Sequence, residues 1–169
     1  MRKKLAIGPQ RSFCDGVVID EYVSVELPEL SLATHEVSGA GVMGTLDVPS
    51  RTQIEGMELG VSTSGMGAGR ARLMTPGQHR LEFRATQEVY TPENGVQVEG
   101  LKIFVTGVLK SGGGGTLESA SGVESDATFE VLRYEEYVNG EEMLIVDKVN
   151  IIYRVLGADH AQDIRGYLD

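Results

Sequence analysis

The chain has 169 residues, of which 25 are acidic and 15 are basic, so its net charge at pH 7 is −10. A chain of this length buries enough surface for one self-sufficient core, and we expect a single domain over residues 1–169. The acidic balance argues against binding to nucleic-acid phosphates or anionic membranes, and no apolar run approaches the ~18 residues of a membrane span, which predicts a soluble protein.

The N-terminal segment begins with basic residues, and its apolar stretch is too short for a secretory signal. We expect residues 1–12 to form an N-terminal arm. The single cysteine, Cys14, precedes the turn signal Asp15-Gly16 and has no histidine near it in the sequence. We predict a buried structural cysteine in a reducing cytoplasm. Because cysteine pairs and histidine clusters are absent, we predict no metal site.

Alternation of apolar and polar residues predicts strands along most of the chain. Glu21 is out of phase in the first of these runs, and a phase slip at Gly100 predicts a β-bulge. Asn94-Gly95 and Asn139-Gly140 predict two tight hairpins, because type I′ turns require positive φ. The predicted strands cover residues 17–27, 30–37, 53–64, 78–91, a run after 95, about 127–138, and 143–155.

The remaining segments predict one short helix and one flexible loop. Residues 70–74 read as the helix, between a glycine-rich approach and a Thr-Pro-Gly stop. Residues 110–122, rich in glycine and serine, read as the loop. Several strands approach a dozen residues, or about 40 Å. The fold class is therefore all-β with one short helix and long hairpins, and we expect a β-sandwich or a barrel-like domain.

Two glycine motifs raise the question of nucleotide binding. Residues 39–44 match G-x-G-x-x-G, but Pro49 follows and no helical pattern begins there, so we predict a loop whose glycines allow close approach or positive φ. The glycines at 65, 67 and 69 would form a better anion nest, yet no Lys-Ser or Lys-Thr pair follows them. We therefore favour a helix entry, and we predict no cofactor.

No set of residues predicts catalysis. His35, His79 and His160 are separated and lie in polar stretches, so we expect solvated or locally hydrogen-bonded side chains. The acidic pairs 135–136 and 141–142 flank a hairpin turn, and adjacent strand residues face opposite ways, which argues against a glycosidase-type couple and favours charges that keep the hairpin tip solvated. We predict that the chain is not an enzyme and has no catalytic residues.

Two further stretches of the sequence are distinctive: Leu27-Pro28-Glu29-Leu30 with Ser38-Gly39-Ala40-Gly41-Val42-Met43-Gly44, and Val149-Asn150-Ile151-Ile152-Tyr153-Arg154-Val155-Leu156-Gly157-Ala158-Asp159. Together they resemble the major tail tube protein family of contractile-tailed phages. The likeness extends from about residue 13 to residue 159, and the order and spacing of the two stretches agree. It departs in the middle, where family members usually carry a longer amphipathic helix. At fold level it extends to secretion-system and siphophage tube proteins.

This resemblance implies a β-sandwich or barrel-like subunit that closes into homohexameric rings. The rings would stack into a hollow tube inside a contractile sheath, with a baseplate and a tail terminator at the ends and a tape measure protein inside. DNA would pass through without specific binding, which suits an acidic lumen. Assembly in the cytoplasm of a bacterial host, as part of a virion tail or a released bacteriocin particle, would follow.

The sequence also suggests which residues serve these surfaces. We expect the lumen to be lined by short polar side chains and carboxylates, with Glu58, Ser62, Ser64 and Glu130 as candidates. Contacts between rings or subunits would use the basic N-terminus and glycines of the loops, with Arg2, Lys3, Lys4, Gly39, Gly41, Gly44, Gly112 and Gly113 as candidates.

Three functions stay open at this point. The first is a phage tail tube, the second is the tube of a headless contractile bacteriocin, and the third is a small-ligand-binding β-barrel or an enzyme without a recognisable site. The first two share one subunit design. Hollow filaments or six-fold rings of purified protein would separate both from the third.

Overall fold

A computed structural model describes all 169 residues of the chain. It contains two short helices, α1 (Ala68–Leu73) and α2 (Gln162–Leu168). The strands are β1 (Lys3–Cys14), β2 (Val17–Ile19), β3 (Tyr22–Glu26), β4 (Leu32–Ser38), β5 (Thr45–Ile54), β6 (Glu58–Ser64), β7 (Gln78–Thr91), β8 (Gly95–Gly112), β9 (Glu124–Val138), β10 (Glu141–Asp147), β11 (Ile152–Val155) and β12 (Ala158–Asp159). The all-β class and the helix near residues 70–74 are confirmed, while α2 was not predicted.

Ten strands form one antiparallel sheet that branches at β9. The main path runs β12-β11-β10-β9-β8-β7-β1-β2, and β6 joins β9 to β3. One edge of β9 pairs with β8. The other edge pairs with β6 through residues 124–130 and with β10 through residues 133–138. The sheet therefore divides into two lobes beside β9, as a sandwich-like fold requires.

The core lies where the β3–β6 lobe faces β1, β7 and β8. The side chain of Gln10 donates a hydrogen bond to the carbonyl of Val23, 2.5 Å away, so β1 and β3 lie side by side without forming a strand pair. The sheet consequently curls but does not close into a barrel. The core cluster consists of Cys14, Ile19, Val23, Met57, Leu59, Val61, Leu73, Leu81, Phe83, Val105, Ala127, Phe129, Val131, Tyr134 and Val146.

Strands β4 and β5 form a separate two-stranded hairpin. Its tip contains Gly39, Gly41 and Gly44 at φ of 122°, 93° and 106°. The prediction of positive φ in this motif is confirmed, and a strand follows the motif instead of a phosphate-binding helix. The strand β5 was not predicted, and it accommodates Pro49 because an edge strand tolerates proline.

Two predicted strands are each broken in two in the structure, and two other predicted segments belong partly to strands. The run 17–27 is broken in two, because the chain turns at Asp20 and Glu21 between β2 and β3. The run 143–155 is also broken, by a turn at residues 148–151. The segment 1–12 is not a free arm, since most of it belongs to β1 and pairs with β7. Likewise the first three residues of the segment 110–122 end β8.

The β7–β8 hairpin corrects two further predictions. The chain reverses before Gly95, but through the three-residue loop 92–94, in which no residue has positive φ; Gly95, the first residue of β8, has a φ of 68°. The bulge predicted at Gly100 is wrong for this ladder, whose register is continuous from Thr91 and Gly95 onward. The apolar phase changes because Val96 and Val98 are exposed on one face, whereas the following apolar residues face the other way.

Candidate functional site

The β4–β5 hairpin carries an exposed apolar face. Cross-strand pairing places His35 opposite Val48 and Val37 opposite Leu46. Because directly opposed residues share a face and neighbours alternate, these four side chains lie together, and Glu36 and Asp47 lie on the reverse face. We call these four residues the hairpin surface. All four are exposed, Leu46 by 52%.

An isolated two-stranded hairpin is marginally stable in water. Here neither β4 nor β5 pairs with any other strand of the chain. A partner that covers the hairpin surface would remove its apolar side chains from water and stabilise the hairpin. The geometry therefore indicates a contact surface for another chain.

The predicted lumen residues form one group on the outer face of β6 and β9. Glu58 lies directly opposite Glu130, and Ser62 lies opposite Asp126 and donates a hydrogen bond to it. Ser64 ends the same strand, in pairing with Glu124. The structure thus brings all four predicted residues onto two neighbouring strands.

Two lysines that the sequence did not suggest partly neutralise this group. The ammonium of Lys110 contacts Glu58 and lies 3.7 Å from Glu130, and that of Lys148 lies 3.2 Å from Glu130. The hydrogen bond and charge of Glu58 raise the pKa of Lys110. Two glutamates directly opposite each other would repel, and the lysines offset this repulsion.

The basic residues predicted for intersubunit contacts have partners in their own chain. Arg2 and Lys4 both form ion pairs with Glu99, a residue that is only 3% exposed. Lys3 pairs with Tyr90 in the β1–β7 ladder. These ion pairs hold the N-terminal segment against β8. The edge of β1 that faces away from β7 is unpaired before Ser12.

The predicted contact glycines divide into two sets. Gly39, Gly41 and Gly44 lie at the hairpin tip with open space around them. Gly112 lies against the side chain of Met74, and the amide of Gly113 donates to the carbonyl of Asp126, 2.7 Å away. The second set is packed within the subunit.

The glycine-rich entry to α1 is an anion nest filled by the chain itself. The carboxylate of Glu21 accepts a hydrogen bond from the amide of Arg70 at 3.2 Å, and Gly67 and Gly69 leave room for it. This contact explains why Glu21 interrupts the alternation of the sequence run 17–27: the residue lies in the turn between β2 and β3, and its side chain contacts the start of the helix. The predicted helix entry is consistent with this arrangement, and no external anion is required.

Replacing Gly69 with alanine is expected to destabilise the subunit by about 1–2 kcal/mol, because an added methyl group has no room. Its Cβ would lie 2.7 Å from Cγ2 of Ile19 and still closer to the Glu21 carboxylate. Urea unfolding at neutral pH measures the loss. Gly166→Ala in α2 is the matched control, because nothing lies near that position, and it should be neutral or stabilising. Equal stability of the Gly69 variant and the native chain would contradict this packing.

Cys14, Asp15 and His79 meet at the start of β7. Nδ1 of His79 lies 2.7 Å from Oδ2 of Asp15, and Sγ of Cys14 lies 3.8 Å from that oxygen and 3.9 Å from the ring nitrogen. The other ring nitrogen lies 2.6 Å from the carbonyl of Thr75. His79 is not solvated, since it is 5% exposed, and besides its local bond to Thr75 it contacts Asp15, which is 64 residues away in the sequence.

The environment of this cluster sets its proton affinities. Burial raises the pKa of the Cys14 thiol to about 11, and the negative charge of Asp15 adds to the effect. Burial opposes a charged His79, but the hydrogen bonds to Asp15 and Thr75 outweigh it and raise the pKa of the imidazole. In the same way the bonds from His79 and Arg80 outweigh burial and lower the pKa of Asp15. The thiol is therefore protonated and not a ready nucleophile.

A cavity of about 590 Å³ separates the base of the β4–β5 hairpin from the β10–β11 turn and α2. Its walls include Leu32, Ile54, Ile152 and Ile164. Across it, the guanidinium of Arg51 lies 3.2 Å from Asp163. This ion pair links the hairpin to the second helix.

Taken together, the long paired strands, the free edges and the exposed hairpin define a β-sheet subunit that presents surfaces to other chains. The sequence comparison makes this specific: the model of the phage tail tube protein FII family matches residues 9–168, and the chain belongs to that family. It is thus a structural tail tube protein by family, and the resemblance drawn from the two sequence stretches is confirmed. Neither helix has the length and hydropathy to cross a membrane.

Two solved structures share the fold. One is a chain of the sheath/tube terminator of an extracellular contractile injection system, PVC, in its extended state, with a TM-score of 0.55 over 79% of this chain and 96% of that one. The other is a chain of the PVC sheath–tube complex in the extended state, with a TM-score of 0.51 over 76% and 87%. Each is 13% identical. A search of curated proteins found no match.

Proposed function

We propose that the chain assembles into homohexameric rings that stack into the hollow inner tube of a contractile particle. The observation that carries the proposal is the hairpin surface, whose exposed apolar side chains lie on a hairpin without other strand partners. Its occupant is a second copy of the same chain, since tube building by this family repeats one subunit.

Strand edges support the same conclusion. The outer edges of β3 and β12 and much of one edge of β1 lack strand partners. Unpaired edges favour pairing with other chains, and a ring that joins them circumferentially leaves none exposed. Head-to-tail stacking of identical rings does not close, so it generates a filament.

The outer face of β6 and β9 is proposed to line the lumen. Glu58, Ser62, Ser64 and Glu130 lie there together with Asp126, and the resulting excess of carboxylates over lysines would repel DNA phosphate. A sheath outside, a baseplate and a terminator at the ends, and a tape measure protein inside complete the proposed particle. A virion tail and a released headless bacteriocin would use the subunit equally well, after assembly in the bacterial cytoplasm.

Negative-stain microscopy and sedimentation of the purified chain, over a range of salt and protein concentrations, test the assembly. Hollow filaments or six-fold rings are expected. A species that stays monomeric at high concentration under every salt condition would refute the proposal. Filaments without a central channel would refute the lumen while leaving self-assembly in place.

Neutralising Glu58 and Glu130 together, as Glu58→Gln and Glu130→Gln, is expected to leave tube formation intact, because a lumen wall touches no neighbouring ring. Each glutamate is accessible on the outer face and bonds only lysines of its own chain. Microscopy measures filament number and diameter relative to the native chain. Failure of these variants to form tubes would assign the two residues to an interface.

A further inference from the structure

We propose that Cys14, Asp15 and His79 bind a divalent transition-metal ion, with zinc as the best fit. The three residues offer a thiolate sulfur, a carboxylate oxygen and an imidazole nitrogen, which are the three donor types found in protein zinc sites. A water molecule would take the fourth position. This inference is independent of tube assembly.

The donor atoms already lie close to zinc-binding geometry. Zn–S bonds of ~2.3 Å and Zn–N or Zn–O bonds of ~2.0–2.1 Å place tetrahedral donors about 3.3–3.6 Å apart. The sulfur lies 3.8 Å from the carboxylate and 3.9 Å from the ring nitrogen, so both distances need shorten only slightly. The carboxylate and the ring nitrogen, now 2.7 Å apart, must separate by about 0.6 Å for both to bind one ion.

The second nitrogen of His79 has the partner that metal-binding histidines usually have. Nε2 donates to the Thr75 carbonyl at 2.6 Å, which directs Nδ1 towards the other two donors. The ring also packs edge-on against Phe129, with 6.2 Å between ring centroids. The imidazole is thus fixed in place before an ion arrives.

Burial is arranged as a metal site requires. Cys14 is fully buried and His79 is 5% exposed, so the sulfur and nitrogen face a dry interior. The side chain of Asp15 is 48% exposed and gives an ion access from solvent. Binding breaks the S–H bond of Cys14 and the N–H···O contact between His79 and Asp15, and both protons leave to solvent while the two donors ligate the ion.

A bound ion would connect parts of the subunit that are distant in sequence. Cys14 ends β1, Asp15 lies in the β1–β2 turn and His79 lies at the start of β7, while Thr75 follows α1. A bound ion would therefore stabilise the region where α1 lies beside the end of β1 and the start of β7.

The test uses the full chain after chelator treatment, titrated with Zn²⁺ in a calorimeter and with Co²⁺ in a spectrophotometer. One ion per chain, a thiolate-to-cobalt absorption band in the near ultraviolet and a thermal midpoint several degrees higher with Zn²⁺ are expected. Cys14→Ser should abolish the band and weaken Zn²⁺ binding at least tenfold, and Asp15→Asn should weaken binding while the fold persists. His160→Gln, an exposed histidine elsewhere, is the control and should bind like the native chain.

If a variant fails to fold, measurements on the native chain still test whether the zinc site exists. Absence of the cobalt band together with no heat of Zn²⁺ binding at micromolar to millimolar ion would overturn the site. Zn²⁺ binding that is unchanged in Cys14→Ser would also overturn it, because the ion would then be held elsewhere.

Discussion

Replacing Val48 with aspartate is expected to stop filament formation and leave the subunit folded. Val48 lies on the hairpin surface, directly opposite His35, and the polar residues Glu36 and Asp47 lie on the other face of the hairpin. Burying a valine side chain contributes about 1.5–3 kcal/mol, and burying an unpaired carboxylate costs more. The affinity between subunits should therefore fall by at least tenfold. Because every subunit of a filament carries the substitution, every contact along the filament is weakened.

The subunit fold should survive because Val48 is exposed and lies outside the core cluster. The matched control is Thr45→Asp, which adds the same charge to the reverse face of the hairpin, in line with Asp47. Sedimentation and microscopy report assembly, and the thermal midpoint reports the fold. Filaments of Val48→Asp as abundant as those of the native chain would place the contact elsewhere.

Local sequence predicts the strands that are paired on both edges. In β7 the inward side chains of Leu81 and Phe83 alternate with charged residues, so the period of two is complete. The hairpin strand β5 was missed although Leu46 and Val48 alternate with polar residues. Pro49 is compatible with this strand because β5 lies at an edge.

The contacts between distant residues could not be predicted. His79 meets Asp15 only because the β1–β7 register sets Cys14 opposite Leu81, and no local pattern reports a register between strands separated by that much chain. Lys110 and Lys148 reach the acidic face for the same reason. One signal was present: Glu21 is the residue that breaks the first alternation, and its side chain fills the glycine nest of α1.

Lowering the pH below the usual range of carboxyl groups is expected to remove much of the contribution of Asp147 to stability. This side chain is 3% exposed and accepts bonds from the amides of Val149 and Asn150, at 3.0 and 2.8 Å, from the Asn150 side chain and from Arg133, at 2.7 and 2.8 Å. Burial opposes its ionisation, but these donors outweigh burial and lower the pKa.

The lowered pKa of Asp147 sets the direction in which stability changes with pH. A carboxyl group whose pKa is lower in the folded chain than in the unfolded one stabilises the fold above the unfolded pKa, and the stabilisation is lost as the pH falls through the folded value. Asp147→Asn removes the charge at every pH. At pH 7 we expect it to cost about 3 kcal/mol, because the amide group turns a donor towards Arg133 and leaves that guanidinium with Glu135 alone.

Urea unfolding of both proteins at pH 7 and near pH 3 measures the effect. The difference between them should shrink at the lower pH, because Asp147 of the unfolded chain binds a proton below its usual pKa of ~3.9. Asp163→Asn is the control, because its half-exposed carboxylate has one side-chain partner, Arg51, and should cost under about 1 kcal/mol. A difference that is independent of pH would show that the charge of Asp147 is not what matters. Because Asp147 holds the turn that carries Lys148 to Glu130, its loss should also loosen the lysine contact on the proposed lumen face.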